Sequence, residues 1–159
     1  MLAVPSWAAA QVDDPSTRVW LGAGLAAGGS TAIGGGFGLL VQIAGQRESR
    51  QLTLRAILLS SEVSSFPDGG GEDLAEVGLL YGRTRVQSYG HASISVGLSL
   101  VGDGSRHDSR YSPGMPFAAE VGLEALVAGV GAQVFGSLNP YASFVGLAVF
   151  LELGWLGIP

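Results

Sequence analysis

The closing stretch Tyr141 to Trp155, YASFVGLAVFLELGW, alternates residue by residue. One alternate set is Tyr141, Val145, Leu147, Val149, Leu151, Leu153 and Trp155, broken only by Ser143. The other set is Ala142, Phe144, Gly146, Ala148, Phe150, Glu152 and Gly154. Successive side chains of a strand point to opposite faces, so one face here is large and apolar and the other is small and mixed. A soluble strand turns its apolar face to a core and shows water a polar one. This strand instead sets bulky aliphatic residues against Gly, Ala and one carboxylate. That combination fits lipid on one side and a crowded, narrow interior on the other.

The rest of the chain is consistent with such a strand. At 159 residues there is room for one domain. The chain is 47% hydrophobic and 13% charged, yet it offers no uninterrupted run of the roughly 18 apolar residues that a spanning helix needs. Its most apolar window, Phe117 to Phe135, is broken by Glu120, Glu124 and several glycines. The 26 glycines also argue against helices, since each costs about 1 kcal/mol in a helix interior. In a small barrel, glycine serves wherever a tight interior leaves no space for a side chain. The net charge of -5, with scattered arginines and no basic stripe, speaks against nucleic acid as a partner. There is no cysteine, hence no disulfide framework and no thiolate metal site.

The first residues, MLAVPSWAAA, end on the small-residue pattern Ala8-Ala9-Ala10 that precedes a signal-peptidase cut. Residues 1–17 are read as the end of an export signal with a polar lead-in, and residues 18–159 as a barrel domain.

Eight strands are expected, at about Arg18–Gly28, Ala32–Gly45, Gln51–Val63, Leu74–Arg85, Tyr89–Val101, Phe117–Val127, Val130–Leu138 and Tyr141–Trp155. The cleanest alternation is the fifth, where Ala92, Ile94, Val96, Leu98 and Leu100 oppose His91, Ser93, Ser95, Gly97 and Ser99. Connections alternate between short (46–50, 86–88, 128–129) and long (64–73, 102–116). Outer-membrane barrels show that alternation, with tight periplasmic turns and longer outer loops. Tyr81, Tyr89, Phe117, Tyr141 and Trp155 fall near expected strand ends, as interfacial aromatics do.

With eight alternating strands, an export-like start and the closing Gly146-x-x-Val149-x-Leu151-x-Leu153-x-Trp155, the chain resembles small eight-stranded outer-membrane β-barrels. The last strand looks like the C-terminal signal that the barrel-assembly machinery reads in that family, although Leu156-Gly157-Ile158-Pro159 follows the aromatic on which such chains commonly end. The resemblance implies an all-β, eight-stranded antiparallel up-and-down barrel in a bacterial outer membrane. It implies no activity, because fold does not fix function.

The expected interior face carries Arg55, Glu76, His91, Glu120, Glu124, Gln133 and Glu152. Charges inside so narrow a lumen must be paired or hydrated, so an internal polar network is the first expectation. A cation-conducting lumen is the alternative. A second alternative is catalytic. His91 and Ser93 share a face as base and nucleophile require, with Glu120 or Glu124 to orient the imidazole, much as in eight-stranded lipid A deacylases. The residues after Ser93, Ile-Ser-Val-Gly, depart from that family's Asn-rich continuation. No cofactor is expected and no metal site, since Asp103, His107 and Asp108 lack calcium-loop spacing. The function expected is a non-enzymatic, structural or interaction barrel, with membrane lipid and envelope proteins as partners and a lumen too small for a general porin. A soluble lipid-binding β-barrel is the alternative outside the membrane.

Overall fold

The structure, a computed structural model, describes residues 17–31, 33–61, 73–87, 89–104, 110–125 and 127–158. Within these, the side chains of 103–104, 110 and 155–158 are left aside. The export-signal reading of residues 1–16, the loop residues His107 and Asp108, and the Trp155 side chain thus lie outside what is described.

Eight strands follow one another: β1 (Thr17–Ser30), β2 (Gly34–Arg47), β3 (Arg50–Ser60), β4 (Asp73–Gln87), β5 (Gly90–Gly104), β6 (Arg110–Ala125), β7 (Ala128–Leu138) and β8 (Phe144–Ile158). Each pairs antiparallel with the next, and β8 closes back on β1, so the sheet is a closed up-and-down barrel, the fold class expected from the alternation. Closure removes both sheet edges and satisfies the backbone ladder internally, which is what a membrane crossing by strands demands. Among the described residues no helix is long and apolar enough to cross a membrane.

The alternation decides which way each side chain points. Leu79 is 52% exposed and its neighbour Leu80 is 1% exposed. The same parity runs through all eight strands, with Leu25, Leu39, Leu54, Leu98, Leu123, Val134 and Leu151 outside. Inside stand Leu40, Gln42, Arg55, Glu76, His91, Glu120, Phe135 and Phe150.

Strands β1 and β2 join between Ser30 and Gly34, β3 and β4 between Ser60 and Asp73, β5 and β6 between Gly104 and Arg110, and β7 and β8 between Leu138 and Phe144. All four connections lie at one end, called here the loop end. The opposite turn end holds the close connections between Arg47 and Arg50, Gln87 and Gly90, and Ala125 and Ala128. At the first of these, Glu48 takes a φ of 56°. The Gln46 Nε2 amide donates to the Glu48 carbonyl at 2.7 Å and holds the turn.

Two expectations change. The long polar loop 102–116 is mostly strand: β5 runs on to Gly104 and β6 opens at Arg110. Pro113 and Pro116 lie within β6, where the sequence reading places a loop. Asn139 satisfies backbone carbonyls of this segment. Its Nδ2 donates to the Pro113 carbonyl at 2.9 Å and to the Ser112 carbonyl at 3.3 Å. The residues trailing Trp155 also belong to the barrel, since β8 extends to Ile158, which pairs with Thr17 across a register shift.

Candidate functional site

The lumen is filled in tiers. At the loop end, Ala26, Leu40, Ile57, Leu59, Leu74, Val101, Phe144 and Ala148 form a buried apolar plug. Leu40, Leu59 and Leu74 have no exposed surface. Phe135 stands below it, edge-on to Phe144 with ring centroids 6.2 Å apart.

Arg55 forms the middle tier. Its Nη2 donates to Glu76 Oε2 at 2.8 Å, its Nη1 donates to the Phe117 carbonyl at 3.3 Å, and the guanidinium sits 5.6 Å from the Phe135 ring centroid. Both partners of the ion pair are buried, so each needs the other. Beside them Gln133 Nε2 donates to Gln42 Oε1 at 3.2 Å, and Gln42 Nε2 donates to Glu120 Oε2 at 2.7 Å.

The tier nearest the turn end gathers four ionisable groups. His91 Nε2 lies 2.9 Å from Glu120 Oε1 and 3.7 Å from Glu152 Oε1, while His91 Nδ1 lies 3.0 Å from Glu124 Oε1. The register explains the meeting. His91 on β5 pairs with Gly122 on β6, so Glu120 and Glu124 sit one step either side of it on the same face. Glu152 comes from β8 and lies beside Gly129 of β7. A Cβ at Gly122 would land on the His91 ring and Glu152 Oε2, and one at Gly131 on the Phe150 ring and Glu152 Oε1. These two glycines open the floor across which Glu152 reaches His91. Trp20 covers the imidazole from β1, with ring centroids 5.1 Å apart.

The structure thus places Arg55, Glu76, His91, Glu120, Glu124, Gln133 and Glu152 in the lumen in two connected groups. Gln42 and Trp20, which the sequence reading passed over, stand on the same inward parity; that parity was the signal available for them. Ser93 is buried beside His91 and pairs across the ladder with Glu120. Both ring nitrogens of His91 already face carboxylates, which leaves none to take a proton from Ser93. The catalytic alternative is therefore not favoured. The aromatics divide. Tyr89 and Tyr141 are exposed outside the strands, whereas Tyr81 and Phe117 lie inside β4 and β6 on one row with Val96. Phe117 is displaced from a strand end because β6 opens at Arg110, and its ring covers Gly136. Tyr111, exposed near the start of β6, was missed.

Among solved structures, Ail, the attachment invasion locus protein of Yersinia pestis, aligns with a TM-score of 0.64 at 10% identity, covering 88% of this chain and 99% of that one. That structure is of Ail in complex with the heparin analogue sucrose octasulfate. Neisserial surface protein A aligns with a TM-score of 0.56 at 10% identity, covering 86% of this chain and 96% of that one. The chain has the fold of these small eight-stranded barrels. No protein-family model matches it, and no curated relative matches it in sequence. The resemblance read from the strand pattern therefore holds at the level of fold.

Proposed function

We propose that this protein is an integral barrel of a bacterial outer membrane with a structural or interaction role. The observation that carries the reading is the inversion of its two surfaces. Large aliphatic side chains cover the outside of every strand, while Gln42, Arg55, Glu76, His91, Glu120, Gln133 and Glu152 are packed within. Soluble monomers rarely expose apolar patches beyond a few hundred Å², so a belt that encircles the barrel calls for lipid. A soluble lipid carrier needs the opposite arrangement, with an apolar interior open to its ligand, and is not favoured. The plug at the loop end speaks against conduction, since buried apolar side chains occupy the lumen there and offer an ion no ligands. What remains to act is the loop end, which presents Tyr111 and Tyr141 to the outside. Partners there are lipid headgroups and envelope or external proteins.

Expression in a Gram-negative host behind an export signal tests the reading. The protein is expected to sediment with the outer membrane and to resist alkaline carbonate extraction. Purified barrel in a planar bilayer is expected to give no cation conductance, with Glu124→Gln identical to wild type. Stepwise cation currents abolished by Glu124→Gln would overturn it.

A further inference from the structure

The turn-end cluster is unbalanced. Glu120, Glu124 and Glu152 surround one imidazole, and Arg55 is committed to Glu76. A protonated His91 would offset only one of three carboxylates. Glu152 is the least satisfied of the three. It is 2% exposed, and among the described residues neither of its carboxylate oxygens has a hydrogen-bond partner. A buried carboxylate left in that state is costly unless a cation or a proton meets it.

We infer that this tier is a binding site for a divalent transition-metal ion of the Zn²⁺ class, with His91 Nε2, Glu120 and Glu152 as ligands. The three ligand atoms lie within 4.8 Å of one another. Zn–N and Zn–O bonds near 2.0–2.2 Å put neighbouring tetrahedral ligands about 3.3 Å apart. The separations from Nε2 to Glu120 and Glu152, 2.9 and 3.7 Å, bracket that spacing. The surrounding contacts are those a metal site uses. Metal-bound histidine donates its other ring N–H to a carboxylate, and His91 Nδ1 faces Glu124 Oε1 at 3.0 Å. A ligating carboxylate is itself hydrogen-bonded, and Gln42 donates to the far oxygen of Glu120.

Three protein ligands leave a fourth position for water. A cavity of about 30 Å³ at the turn end is lined by Trp20, Gln46, Glu124, Gly129 and Glu152, large enough for a water beside Glu152. The plug above makes this a terminal site and not part of a channel. Imidazole among the ligands selects Zn²⁺, Co²⁺ or a similar ion over Mg²⁺ and Ca²⁺, which prefer all-oxygen shells. No spacing along the chain announces the set, because its members come from β5, β6 and β8.

The test uses the full chain refolded in detergent, stripped with a chelator and titrated with Co²⁺. One equivalent is expected to bind, with visible bands of four- or five-coordinate Co²⁺ that Zn²⁺ abolishes and excess Mg²⁺ does not. Glu152→Gln is expected to weaken binding by more than about tenfold while the protein keeps its folded gel mobility, and Glu124→Ala by about tenfold. Glu48→Gln, at the exposed turn, leaves binding unchanged. The chain has two histidines, so His107→Ala leaves a single imidazole. In that protein Zn²⁺ is expected to shift the Nε2 nitrogen resonance, a result that does not depend on the site variants folding. Absence of saturable binding, an unmoved Nε2 resonance, or equal affinity in wild type and folded Glu152→Gln would overturn the assignment.

Discussion

Arg55 and Glu76 show what the lumen asks of single residues. They meet diagonally between β3 and β4, both buried, joined at 2.8 Å. Arg55→Ala would leave Glu76 buried without its cation, and a loss of about 3–5 kcal/mol is expected in urea unfolding from lipid vesicles. The pair Arg55→Met with Glu76→Leu is expected to recover most of that loss, because two apolar groups need no partner. Glycine carries a different load. Gly131→Ala would push a methyl group onto Phe150 and Glu152, and a loss of about 1–3 kcal/mol is expected in the same assay. The inward parity of these residues was legible along each strand, because period two survives any error in strand ends. Their partnerships were not. Glu152 meets His91 across the barrel through two glycines, and nothing in the spacing of the chain encodes that distance.

At the scale of elements, β6 is the instructive strand. Pro113, Gly114 and Pro116 make its first half read as loop, yet it pairs with β5 from Arg110 onward. Pairing with β5 holds a segment that local preference would release, and Asn139 is the clamp where β7 does not reach. Besides its bonds to Ser112 and Pro113, its Oδ1 accepts the backbone amides of Tyr141 and Ala142 at 2.8 and 3.1 Å. One side chain thus ties the start of β6 to the β7–β8 connection. Asn139→Ala is expected to cost about 1–3 kcal/mol by leaving those groups unpaired, and to raise amide exchange in 111–116 before the rest of the barrel. Strand number and parity were readable from alternation. The true extent of β6 was not, because tertiary pairing overrode its prolines.

At the scale of the molecule, the chain separates three environments: lipid around the belt, a sealed apolar plug at the loop end, and a charged tier open to the turn end. The belt was visible in the sequence as the greasy half of every alternation. The seal was not, since it forms from one or two residues contributed by each of several strands. The central claim is that this closed sheet stands in a bilayer with its apolar face outward, and electrophoretic mobility tests it most directly. The refolded chain, in detergent and then SDS, is run unheated and boiled. A closed ladder without edges resists cold SDS, so a compact, faster or slower band that converts on boiling is expected, with β-type circular dichroism. A single heat-independent band, from a protein that stays monomeric in buffer without detergent, would contradict the account.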